Sequence, residues 1–248
     1  MIVAETYFDC VRRRREEILE RVDAALAACG RTRDEVKIMA VSKTVDVDAA
    51  ADAVRAGYTL LGENRPQELV RKVEGLRKIE DLPSVRIDMI GNLQKNKINA
   101  VLGAATLVHS ISSPELARAV SERACRRIES GELSAPQDVL LEVNVSGEES
   151  KSGMAPDLLR EQAESLSGLE GIHICGLMTM APQGNKDVAR ATFAGLRELR
   201  DELASAYPAL ELAELSCGMS EDFDAAIQEG STLIRLGRVV FDPAFELQ

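Results

Sequence analysis

Short apolar runs alternate along the chain with longer stretches whose apolar residues recur every three or four positions. The runs at 37–44, 58–63, 85–91, 107–111, 138–145, 172–180, 213–217 and 232–237 are rich in Val, Ile and Leu. Several are almost continuously apolar, which predicts parallel strands covered by helices. Between them, 47–56, 66–76, 93–102, 114–130, 156–166, 187–207 and 222–228 carry helical spacing. Ahead of the first strand, Val11, Ile18, Val22 and Leu26 mark one face of an opening helix. Pro114 and Pro156 fall where a first helical turn tolerates proline, and Ser220 is placed to cap the helix that begins near Asp222.

Strand and helix alternating in this way indicate an α/β protein with parallel pairing, and eight such units suit a closed (β/α)8 barrel of the TIM type with an extra N-terminal helix. An open doubly wound sheet is the other architecture. It would bring a glycine-rich first turn for a dinucleotide, and no G-x-G-x-x-G follows the first strand. No repeat, low-complexity tract or long linker divides the chain, so residues 1–248 are expected to form one domain. Its 248 residues suit one barrel.

A formal charge of −11 disfavours non-specific binding to nucleic acid or anionic membranes, and 3% aromatic residues with no Trp leave little for base stacking. The five cysteines, Cys10, Cys29, Cys125, Cys175 and Cys217, are scattered and form no C-x-x-C pair. That pattern fits reduced thiols in a cytoplasmic protein, and with His109 and His173 as its histidines no metal site is expected. No secretory leader is expected, no apolar run reaches membrane length, and the basic run Arg12–Arg15 beside Glu16, Glu17 and Glu20 reads as a solvated helix face.

Barrels of this kind gather function at the C-terminal ends of their strands. Polar residues and glycines collect there: Ser42-Lys43-Thr44, Gly62-Glu63-Asn64-Arg65, Gly91-Asn92-Leu93-Gln94, Asn144-Val145-Ser146-Gly147, Met178-Thr179-Met180, Ser216-Cys217-Gly218-Met219-Ser220 and Arg235-Leu236-Gly237-Arg238. Lys43 closes an apolar strand. A desolvated stem there would lower its pKa and leave a neutral amine able to attack an aldehyde; a lysine reaching out to water from a strand end is the other reading. Gly218-Met219-Ser220 leads into a helix and Gly237-Arg238 follows the eighth strand, two segments able to hold a phosphate or to serve as ordinary turns. Arg235, inside an apolar strand, faces either a ligand at the mouth or a salt bridge within the barrel.

Taken in order along the chain, Ala40-Val41-Ser42-Lys43-Thr44, Gly62-Glu63-Asn64, Ile90–Lys97, Ser150–Met154, Gly176-Leu177-Met178, Gly218–Phe223, Gly230-Ser231-Thr232 and Arg235-Leu236-Gly237 resemble the pyridoxal phosphate homeostasis protein family (the YggS type), related to the barrel domain of alanine racemase. The resemblance implies a fold-type III pyridoxal-phosphate barrel with pyridoxal 5′-phosphate held as a Schiff base on Lys43. It implies that Gly218, Ser220, Gly237 and Arg238 surround the phosphate, that Arg235 approaches the pyridine nitrogen or the phosphate, and that Asn64 and Met178 line the mouth. Three positions depart from the family pattern. Asp88 stands in the stretch before Ile90-Gly91 where histidine is usual, Cys217 replaces a common methionine, and Arg238 replaces a small hydroxyl residue. Arg238 either grips phosphate as a fork or points away; its backbone N–H serves in both cases.

An arginine at the pyridine nitrogen keeps that nitrogen unprotonated and weakens the ring as an electron sink. A racemase would also need a second acid/base, a tyrosine from a further domain in alanine racemases, and Tyr7, Tyr58 and Tyr207 are poorly placed for that role. The expectation is therefore a monomeric carrier that buffers the cofactor and hands it to apo-enzymes, without robust turnover. Lys151 is either a second, transient attachment point or a solvated lysine beside Glu148 and Glu149. A weak amino-acid racemase and a cofactor-free Schiff-base aldolase remain the alternatives.

Overall fold

A computed structural model describes residues 6–148 and 150–245, and in it the chain opens with a long helix, α1 (Tyr7–Cys29). The Thr6 side chain accepts the Asp9 N–H at its start, and Gly30, at φ 71°, closes it in the left-handed conformation that glycine adopts without penalty. Strand and helix then alternate: β1 (Lys37–Val41), α2 (Val47–Arg55), β2 (Leu60–Glu63), α3 (Pro66–Leu76), β3 (Arg86–Met89), α4 (Ile98–Val101), β4 (Leu107–Ile111), α5 (Pro114–Glu129), β5 (Gln137–Glu142), α6 (Pro156–Ser167), β6 (Ile172–Met178), α7 (Lys186–Ala206), β7 (Glu214–Ser216), α8 (Phe223–Gln228), β8 (Leu233–Leu236) and α9 (Arg238–Phe241). Each strand pairs in parallel with the next, and β8 returns to β1 with Ile38 opposite Ile234, closing the barrel.

Two apolar layers result from the period of two along each strand. Ala40, Leu61, Met89, Val108, Leu141, Leu177, Leu215 and Ile234 belong to the large core shared with the helices. Met39, Val41, Leu60 and Leu233 cluster inside the barrel, as do Leu107, Leu140 and Met178. Between these two inner groups the lumen is polar, holding Asp88, His109, Glu142, Ser216 and Arg235, all buried.

All eight anticipated strands form, mostly shortened at the mouth, where the chain leaves the ladder to turn into the next helix. The largest departure is at 93–102. A 3₁₀ turn at Lys95–Lys97 leads into the single turn of α4, in place of a full helix. Asn92, Asn96 and Asn99 explain it, since asparagine competes for the backbone bonds a helix needs. The one-turn α9 after β8 was not anticipated. No helix among the described residues is long and apolar enough to cross a membrane.

Candidate functional site

Met39 and Val41 point into the barrel, and Ser42 turns the other way. The Ser42 hydroxyl donates to Glu63 Oε1 at 2.6 Å, and Lys72 Nζ, from α3, donates to the same oxygen at 2.7 Å and to the Ser42 carbonyl at 2.9 Å. This buried triad clamps the end of β1 to β2 and α3, so alternation assigns Lys43 to the mouth side. Lys43 lies in a turn closed by Val45 N–H on the Ser42 carbonyl at 3.2 Å, and it is exposed. The expected desolvated stem is therefore absent: the strand stops at Val41, two residues before the lysine, which sits exposed in the turn.

On the neighbouring strand β8, Arg235 projects into the lumen at 5% exposure, in register with Met39. Its Nη1 donates to the Ser216 carbonyl at 2.7 Å and the Ser216 hydroxyl at 2.6 Å, and its Nη2 to the Thr179 carbonyl at 3.0 Å. No carboxylate lies within ion-pair distance of it among the described residues. Desolvation pulls its pKa below the usual arginine value, but a guanidinium remains charged. Behind it runs a polar chain along the barrel axis. Ser216 Oγ meets His109 Nδ1 at 3.0 Å, His109 Nε2 meets Asp88 Oδ2 at 3.1 Å, and Arg86 grips both Asp88 oxygens at 2.7 and 2.8 Å. Burial drives the His109 pKa down against the pull of Asp88, so the ring is neutral. Its proton then belongs on Nε2, facing the carboxylate, and Nδ1 accepts the Ser216 O–H.

The loops after β7 and β8 meet beside this arginine. Gly218 takes φ 94°, and a Cβ there would stand 2.6 Å from the Ala226 Cβ. Asp222 Oδ1 accepts the Met219 N–H at 2.6 Å, so Asp222, not Ser220, orders the entry to α8. Ser220 Oγ instead faces the Val239 N–H at 3.5 Å, tying the two loops together. The backbone N–H groups of Ser220 and Arg238 have no acceptor among the described residues. Gly237 packs on β1, where an added Cβ would meet the Val41 Cβ at 3.6 Å. The Arg238 side chain turns outward to pair with Glu221 and to stack over Phe245 at 5.2 Å, so the backbone of residue 238 faces the loop junction without its guanidinium.

Glu142, at the end of β5, was missed from sequence. Its Oε1 accepts the Ser152 hydroxyl, while its Oε2 is buried with no partner among the described residues, and burial raises its pKa. Glu142 and Arg235 attract each other electrostatically without forming an ion pair. The position of Glu142 two residues before the noted Asn144, on the same strand face, was the available signal. Met178 is buried near the same level, Asn64 is half-buried past β2, and Lys151 Nζ reaches the Met180 carbonyl at 3.2 Å and Glu148 Oε2 at 3.0 Å. Glu149 lies outside the described residues.

Free N–H groups with a hydroxyl suit a phosphate, a buried arginine rich in N–H donors suits a heteroaromatic nitrogen or an anion, and a lysine at the rim suits an aldehyde. The donors present therefore fit pyridoxal phosphate.

Residues 17–243 match the family model described as alanine racemase, N-terminal domain. A pyridoxal phosphate homeostasis protein of Aquifex aeolicus is 38% identical over 229 residues, covering 92% of this chain and 96% of its own length. The protein of that name from Escherichia coli K12 is 34% identical, with 91% and 93% covered. The structure of PipY from Synechococcus elongatus with pyridoxal phosphate bound superposes with a TM-score of 0.75 at 34% identity, covering 89% of this chain and 99% of that one. An alanine racemase of Clostridium difficile shares the fold, with a TM-score of 0.69 at 18% identity, over 96% of this chain and 59% of its own.

Proposed function

Because the chain belongs to the pyridoxal phosphate homeostasis protein family, we propose that it binds pyridoxal 5′-phosphate at the barrel mouth and takes part in intracellular homeostasis of that cofactor. The observation that carries this reading is Arg235, a buried cation with no carboxylate partner among the described residues, beneath a mouth that Lys43 borders. When bound, the cofactor supplies an aldehyde that an amine captures. Lys43 is that amine. Ser220, through its N–H and hydroxyl, and Arg238, through its N–H, hold the phosphate, and Gly218 and Gly237 let the backbone approach. Arg235 donates toward the ring, while Asn64 and Met178 flank it.

Arg235 donates a hydrogen bond but keeps its proton, so it does not protonate a ring nitrogen and leaves the site poorly suited to carbanion chemistry. The Tyr7 hydroxyl is taken up by the Phe241 carbonyl at 3.3 Å, Tyr58 is buried at the opposite end of the barrel, and Tyr207 ends α7. A carrier that buffers the cofactor and passes it to apo-enzymes fits these features better than a racemase. We assign the whole chain, 1–248, to one domain, monomeric and cytoplasmic, as its cysteine usage and self-contained barrel suggest.

The test is an absorbance spectrum after adding pyridoxal phosphate, followed by borohydride reduction and peptide mapping. The expected result is a visible band and a reduced adduct on Lys43, both lost in Lys43→Ala. An adduct spread over surface lysines would overturn the assignment.

A further inference from the structure

The opposite end of the barrel, where the strands begin, carries a second cluster of chemistry. His173 and Cys175 stand two apart on β6 and share one face, and β5 sets Asp138 in register opposite His173. The three ligand atoms lie within 4.8 Å of one another. His173 Nδ1 is 2.9 Å from Asp138 Oδ1 and 3.5 Å from Cys175 Sγ. Zinc bond lengths at tetrahedral angles place ligand atoms about 3.3 to 3.6 Å apart, so the histidine–cysteine separation already suits an ion and the histidine–aspartate pair need open only by a few tenths of an ångström. The other ring nitrogen, Nε2, faces Glu211 Oε2 at 3.5 Å. A carboxylate on the far nitrogen is the arrangement that orients a metal-binding histidine.

We propose that Asp138, His173 and Cys175 form a binding site for a thiophilic divalent transition metal of the zinc class, with Glu211 orienting His173. Local charge favours a dication. Asp138, Glu211, Glu214 and Asp88 lie around the floor, and Lys37 and Arg86, two of the cations at this end, are already engaged by Glu214 and Asp88. Asp138 and His173 are half-exposed, which leaves an entry path and a fourth position for water. The thiol coordinates as thiolate and its proton passes to solvent. An ion here joins β5 to β6 across the floor, far from Lys43, so the site is independent of cofactor binding. Sequence spacing did not reveal it, because the third ligand comes from a neighbouring strand.

Cobalt(II) titration of the reduced, metal-free protein is the test. A thiolate-to-cobalt charge-transfer band should saturate at one ion per chain, be erased by zinc, and vanish in Cys175→Ser. His173→Gln and Glu211→Gln should each weaken binding, the latter about tenfold. Zinc should raise the melting temperature of the wild type and not of the Cys175→Ser, His173→Gln double variant, whose circular dichroism should match the wild type. No band in the wild type, a band that survives Cys175→Ser, or unchanged affinity in both His173→Gln and Glu211→Gln would overturn the proposal.

Discussion

His109 Nε2 stands 3.1 Å from Asp88 Oδ2 with both side chains fully shut off from solvent. In water such a pair would charge the imidazole. Here the carboxylate is already gripped by Arg86 and accepts the Leu107 N–H at 3.2 Å, so its negative charge is spoken for. The histidine stays neutral and relays a hydrogen bond instead of a charge.

That neutrality sets a pH dependence. The folded-state pKa of His109 lies below the ordinary 6.5, so between the two values the unfolded chain binds a proton that the native chain refuses. Its contribution to stability is therefore lost as the pH falls below 6.5. Urea midpoints for His109→Gln should be lower than wild type near neutrality and should fall less steeply into acid. A wild-type slope retained by the variant would assign the titration elsewhere.

Ser216→Ala removes the hydroxyl that accepts from Arg235 and donates to His109. Unfolding should cost about 1–3 kcal/mol less, the usual penalty for orphaned buried polar groups. Equilibrium dialysis should also find weaker pyridoxal phosphate binding, because Arg235 keeps only its two carbonyl anchors. Unaltered binding would mean that those carbonyls suffice to position it.

Lys72 and Glu63 form an ion pair with 1% and 0% of their side chains exposed. Lys72→Met strands a buried carboxylate and should lower stability by about 3–5 kcal/mol. Adding Glu63→Gln should restore most of that loss, since the uncompensated charge goes with it. Chemical denaturation of the single and double variants separates this from a simple packing defect, which the second change would not repair.

Glu142→Gln should stabilise the protein at neutral pH. Burial raises the folded-state pKa above the ordinary 4.5, so wild-type stability falls as the pH climbs from 4.5 through the folded value. The amide keeps an oxygen for Ser152 and removes the charge. The gain should vanish at acid pH, where wild-type Glu142 is protonated. Equal gains at every pH would point to packing.

The strand and helix order was legible because parallel strands covered by helices read as apolar runs between amphipathic stretches. Polar residues at the strand ends likewise pointed to Lys43, Ser220 and Arg235. Less legible was anything decided across strands. Glu142 reads as one more charge at a strand end until closure of the barrel turns it toward Arg235, and the 3.0 Å meeting of His109 with Ser216 links residues 107 positions apart. The exposure of Lys43 and the outward turn of Arg238 depend on where a ladder stops and which neighbour, here Glu221, is within reach.

The axial chain from Arg86 to Arg235 has a consequence for how this barrel can evolve. Each member uses the lone pair or proton its neighbour offers, so a change at one position alters what its neighbours tolerate. Sequence variation at Asp88, His109 and Ser216 should be epistatic. A lineage that exchanges one of them is expected to carry a matching exchange at another, and barrel redesigns that change one of the three without adjusting its neighbours are expected to lose stability.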